Sequence, residues 1–182
     1  MQQQALPRSG SIALRQGLIF GVGLGIIQAV ITIISNLVNL GSFGIILSAI
    51  SIILAIAAYL VAGLRASQQT GKVVTGLLAG LWTGLFAAII SYIVTLIITI
   101  ANIDSLRIAA QRVVDANHAN FQYTNSLLIA ITAGIGLGVV LFLGLAGLGV
   151  GSIGGAIGSR RANIPTQSYQ EAMFQPPPPY RQ

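Results

Sequence analysis

The sequence predicts an all-α membrane protein with four transmembrane helices and one amphipathic interfacial helix, on three observations. Only 7% of its 182 residues are charged while 54% are apolar, whereas a soluble domain carries about 25% charged residues. Its mean hydropathy is +0.85. Its few charges are also gathered, so that 16–64, 73–103 and 116–159 contain no Asp, Glu, Lys or Arg. A membrane-spanning helix needs about 20 mostly apolar residues. The first stretch holds two such spans, separated by a turn near Asn36, Asn39, Gly41 and Ser42. We therefore expect spans near 17–36, 43–64, 77–101 and 127–150, within a transmembrane domain over 15–159. None of them has the polar face that a soluble amphipathic helix needs.

Residues 1–14 are Gln-rich, with Pro7 and Gly10, and read as a disordered N-terminal segment. The apolar run after Arg15 is longer than a signal-peptide core of about 7–15 residues, and no small-x-small cleavage site follows it. It reads as the first permanent span. Along it Gly17, Gly21, Gly25 and Ala29 recur at every fourth residue, followed by Thr32 and Asn36. Positions three and four apart share one helix face, and small residues there let backbones approach closely in lipid. The second span ends at Arg65, and the loop 65–76 is expected to lie between Tyr59 and Trp82 as interfacial anchors.

The third span repeats the first stripe at a constant offset: Gly76, Gly80, Gly84 and Ala88, then Ser91 and Thr95. Two stripes of one pattern suggest a pair of repeated helical hairpins, with the stripes packed on each other. The second members of the hairpins, 43–64 and 127–150, match poorly.

Between the third and fourth spans, 102–125 form an outer segment. Leu106, Ala109, Ala110, Val113, Val114 and Ala116 share one helical face there, and Arg107, Gln111, Arg112, Asp115 and His118 share the other. Such a helix lies in the headgroup layer or caps the bundle; the spacing fits both. The last span carries a third stripe, Gly147, Gly151 and Gly155. As one helix, 127–158 would extend ~48 Å against a hydrocarbon core of ~30 Å. It must tilt and project, or break near Gly147. The tail, 160–182, contains Pro165 and Pro176 to Pro179 and reads as disordered. Its Pro-Pro-Pro-Pro-Tyr end fits a WW-type ligand for a Pro-motif-binding partner, a pattern that arises easily in such a tail.

The charges also orient the chain. With the N-terminus cytoplasmic, Arg8, Arg15, Arg65, Lys72, Arg160, Arg161 and Arg181 fall inside, and only Arg107 and Arg112 outside. Cytoplasmic loops carry the excess of Lys and Arg, so both termini are expected in the cytoplasm. The +6 net charge is then a topology signal rather than a nucleic-acid surface, which needs basic residues clustered on a folded face.

Chemistry is scarce. Cys is absent and His118 is the single histidine, so thiolate sites and His-pair metal sites are excluded within one chain. No cofactor, metal site, catalytic residue or enzymatic activity is expected. Gly149-Val-Gly151-Ser-Ile-Gly154 fits a dinucleotide pattern in letters only, because an apolar helix precedes it where the motif needs a strand. No ionisable acid or base lies within a span, which weighs against ion-coupled transport. The polar residues inside are Gln28, Thr32, Ser35, Asn36, Ser48, Ser51, Ser91, Thr95, Thr99 and Thr132. They read as interhelical hydrogen-bond glue, or as the lining of a solute path. Gln28 in particular should find a partner on another helix.

The stretch Tyr59-Leu-Val-Ala-Gly-Leu-Arg-Ala-Ser-Gln-Gln-Thr-Gly-Lys, continuing into Gly76-Leu-Leu-Ala-Gly80, resembles the central hairpin of small uncharacterised four-helix bacterial membrane proteins. The glycine-dense end at 147–159 is similar to a glycine-zipper segment. The resemblance implies a bacterial plasma-membrane protein and brings no catalytic residues. The leading expectation is a non-enzymatic helix-packing oligomer, subunit or scaffold in the lipid bilayer, associating with itself or a membrane-protein partner. The alternative is a passive channel or small-solute transporter.

Overall fold

The computed structural model describes residues 9–37, 42–117 and 121–162 and is helical almost throughout. In order come α1 (Ser9–Leu37), α2 (Ser42–Thr70), α3 (Val73–Ala101), α4 (Ile103–Ala116) and α5 (Asn125–Arg160). Four of these are long and apolar enough to cross a membrane. The chain is an all-α, multi-pass membrane protein.

The helices outrun the predicted spans where their ends dock on neighbours. α1 begins at Ser9, so 9–14 are helical rather than disordered. Ala13 is fully buried against Ala66 and Ala79, which holds that first stretch on α2 and α3. The loop expected over 65–76 shrinks to Gly71 and Lys72, because α2 runs to Thr70 and α3 starts at Val73. Ser67 staples this turn: its carbonyl accepts from the Gly71 N–H at 2.7 Å, and its hydroxyl donates to the Lys72 carbonyl at 3.0 Å. Gly71 has φ of 68°, a left-handed conformation that costs a side-chain-bearing residue about 1–2 kcal/mol. Gly71→Val is expected to destabilise the protein by about that much in denaturant titration, and Gly71→Asn by less, since Asn tolerates this region.

α5 is continuous across Gly147, so the break does not occur. Its 36 residues extend ~54 Å, and its last turns carry Arg160 beyond the apolar stretch. The turns expected near Asn39 and Gly41, the N-terminal eight residues, His118 and the tail from 163 lie outside the described residues.

α2 and α3 each touch all the other long helices, whereas α1 and α5 do not touch each other among the described residues. The bundle is therefore a rhomb with α2 and α3 on its short diagonal. The start of α1, the Gly71 turn and the end of α5 share one end, here the turn end. The Arg65 guanidinium helps close it, lying 5.5 Å from the Phe20 ring centroid at cation–π distance. α4 sits at the opposite end.

The glycine stripes account for this arrangement, with partners other than those expected. Gly17, Gly21 and Gly25 lie on α3, but on the face of Ala79, Thr83 and Ala87. The α3 stripe of Gly76, Gly80 and Gly84 faces α5, where Gly147, Gly151 and Gly155 meet it. The α1 and α3 stripes thus do not pack on each other. The repeat fails at the same point: one stripe reaches across to the other hairpin, while its counterpart closes its own. A small-residue stripe flattens a helix without naming its partner. α2 joins the seam through Gly63, which lies against the Gly151 backbone, while Gly154 and Gly158 lie against Leu60 and Leu64.

Burial is lopsided as a result. Buried positions run from Ala13 to Ala29 in α1, Ala55 to Ser67 in α2, and Val140 to Gly158 in α5. In α3 they run from Thr75 to Ala88, with Thr99 beyond. Towards α4 the helices part. Tyr59 is 3% exposed and packs with Leu24, Ala55 and Ala87, so it is a core residue and not the interfacial anchor expected. Its ring fills a space left by small neighbours. Trp82 covers Gly17 and stacks on Phe86 at 5.7 Å.

Candidate functional site

The parting of the helices leaves a branched crevice in the α4 half, and the polar residues of the spans gather on it. One branch, about 390 Å³, lies between α1, α2 and α3 and is lined by Gln28, Thr32, Ser35, Asn36, Ser48, Ser51 and Ser91, with Ile31 and Ile52. A second, about 310 Å³, shares Gln28, Ser51 and Ile52 and continues between α2 and α5 to Tyr59 and Val150. A third, about 330 Å³, lies between α3 and α5 and carries Ser91, Thr95 and Thr132. Cavities of this size with few polar groups are the ordinary form of small-molecule sites.

Gln28 lines the first two branches and Ser91 the first and third. The Gln28 Oε1 accepts from the Ser91 hydroxyl at 3.1 Å, joining α1 to α3. This is the interhelical partner that burying an amide in a membrane demands, worth ~0.6 kcal/mol by typical measures. Other hydroxyls turn back on their own helices. Thr32 donates to the Gln28 carbonyl at 2.9 Å, Ser48 to Gly44 at 2.9 Å, and Thr95 to Ser91 at 2.9 Å. The Asn36 amide donates to the Thr32 carbonyl at 2.8 Å. An oxygen that donates to its own helix keeps lone pairs free. The walls therefore offer acceptors, and the Gln28 amide nitrogen supplies donors beside them.

The polar residues read as glue or lining thus divide unequally, with Gln28 and Ser91 bridging helices while Thr32, Ser48 and Thr95 satisfy themselves locally. Thr99 is buried outside the crevice. Ala88 lines the third branch, whereas the stripe glycines form the seams and line none of the three branches; Ala29 is buried in α1. Among the described residues, no Asp, Glu, Lys, Arg or His lines any of the three branches. Sequence reasoning missed Tyr59, whose hydroxyl is buried without a hydrogen-bond partner. A tyrosine five residues before Arg65 looks like an anchor until the small neighbours that enclose it are known.

α4 stands apart, with none of its residues buried. Asp104 and Arg107 form an exposed ion pair at 3.7 Å. Asp115 accepts from the Gln111 amide at 2.9 Å. The same amide group ties down the segment leading into α5, donating to the Phe121 carbonyl at 3.0 Å and accepting from the Tyr123 N–H at 3.1 Å. Thr124 then caps α5 by accepting from the Leu127 N–H. These contacts fix the outer segment without covering the crevice mouth at Ser35, Asn36 and Ser48, which stay exposed.

In comparisons with known proteins, the chain matches no family model, no curated protein and no solved structure.

Proposed function

We propose that the chain is a non-catalytic membrane protein that takes up an uncharged guest in this one-sided crevice, and so handles a small molecule passively. Gln28 and Ser91, joined by one hydrogen bond, between them line all three branches, and this is the observation that supports the reading. Uncharged donors and acceptors favour neutral hydrogen-bonding guests, because an ion that enters finds no countercharge to compensate for its lost hydration. The glycine stripes that motivated an oligomer, subunit or scaffold make their contacts within the chain, so they do not by themselves favour that reading over a guest site. A through-channel fits poorly, since backbones meet directly in the turn half.

The described cations Arg15, Arg65, Lys72, Arg160 and Arg161 are at the turn end, and α4 carries two acids with two arginines. We assign the turn end to the cytoplasm on that asymmetry, and a bacterial plasma membrane on the resemblance of the 59–80 hairpin.

A guest that binds only the folded protein stabilises it. Protein in lipid nanodiscs, heated with a panel of uncharged hydroxylated and amide solutes and with matched salts, should be stabilised by uncharged members and not by ions. Stabilisation by ions alone, or by nothing in the panel, would overturn this reading.

A further inference from the structure

Two of the three branches are chemically unlike and share a neck at Gln28 and Ser51. The branch between α1, α2 and α3 is polar, with its mouth at the membrane edge beside Asn36 and Ser48. The branch between α2 and α5 is walled by Ile52, Ile56, Phe142 and Ala146. Ile52, Ile56 and Phe142 are also exposed on the outer surface, Phe142 by 68%. That branch is therefore continuous with the surface that lipid covers, and it opens sideways between α2 and α5.

Tyr59 lies at the inner end of this apolar branch, 3% exposed and with its hydroxyl unpartnered. Helical side chains lean towards their own N-terminus, which for α2 is the open end, so the hydroxyl lies on the Gln28 side of its own Cα. A buried hydroxyl without a partner is costly. Gln28 and Ser51, which line both branches, place uncharged polar groups at the neck, flanked by a wet mouth on one side and hydrocarbon on the other.

Resting on the reading of the crevice as a guest site, we infer that the guest is a neutral amphiphile: a molecule with an uncharged hydroxylated headgroup and a hydrocarbon chain. Its hydroxyls lie at the neck, where each donates to wall oxygens and accepts from the Gln28 amide. Its chain lies in the apolar branch and emerges into lipid between α2 and α5. A headgroup bearing phosphate meets no cation among the described residues of the crevice, and a bare hydrocarbon leaves the neck unsatisfied.

The experiment uses the full chain in phosphatidylcholine nanodiscs with four radiolabelled probes: monodecanoylglycerol, glycerol, decyl phosphate and decane. Saturable binding of monodecanoylglycerol is expected, well above the other three. Gln28→Leu should weaken it about tenfold, the equivalent of ~1.4 kcal/mol. Ala146→Phe, which fills the apolar branch from α5, should abolish it while leaving the helical circular dichroism intact. If Gln28→Leu fails to fold, Ser51→Val at the same neck serves in its place, with a loss of several-fold expected. Glycerol binding as well as its decanoyl ester would overturn the amphiphile and leave the neutral-guest reading standing. Equal binding of decyl phosphate would overturn both. Binding of none of the four overturns the amphiphile, and the solute panel then decides the broader reading separately.

Discussion

Gly80→Leu is expected to destabilise the bundle by about 3 kcal/mol or more, while Gly138→Leu on the same seam's partner helix leaves stability unchanged or raises it. At Gly80 a methyl would stand 2.7 Å from the Gly151 Cα and closer still to the Gly147 carbonyl oxygen. Both obstacles are backbone, so no rotamer change relieves the clash, and the helices must separate. Separation forfeits the van der Waals contact that holds helices together in lipid, where hydrophobic drive between them is absent. At Gly138 a side chain would meet nothing within 4 Å and would point into lipid, while leucine is the better helix former by roughly 0.7 kcal/mol. Denaturant unfolding of the detergent-solubilised variants, followed by circular dichroism, measures the difference. Equal stability of the two would remove the seam from the account. Gly21→Leu should fall between them, since its nearest obstacles, the Phe86 Cβ and the Thr83 carbonyl oxygen, are also fixed by backbone but stand farther off, each at 2.8 Å.

The span count was legible because charge is excluded from hydrocarbon, so twelve charged residues mark out four helices without further help. Boundaries were less legible. Charge placement stops a span at Arg65, yet Ala66 and Ser67 are fully buried, and packing carries α2 onward to Thr70. Ala13 extends α1 for the same reason. The stripes announced close packing and withheld their partners, because a flat small-residue face fits any other. It took α3, with one stripe of Gly76, Gly80 and Gly84 and a second face of Ala79, Thr83 and Ala87, to satisfy both neighbours at once. The polar residues of the site were all visible as residues. Their convergence was not, since Gln28 and Ser91 are 63 positions apart and nothing local links them. Tyr59 was misjudged because sequence shows its distance from a charge and hides what surrounds it.

The bundle combines a dry, glycine-knit half with an open half that has a wet polar mouth. Because the chain contains no cysteine, single cysteines report on it directly. A membrane-impermeant maleimide reacts with the thiolate, which forms only where water reaches. Three positions separate water, lipid and packed protein. Ser51 lines the polar branch, about nine residues and ~13 Å into α2. Ile53 lies at nearly the same depth and is 66% exposed on the bundle's outside, where lipid covers it. Thr83 is 0% exposed in the α1–α3 seam. In sealed proteoliposomes Ser51→Cys should label at least ten times faster than Ile53→Cys or Thr83→Cys, by reagent added on the α4 side. Labelling of Ser51→Cys as slow as that of Ile53→Cys, or rapid labelling of Thr83→Cys, would contradict the division into an open and a closed half.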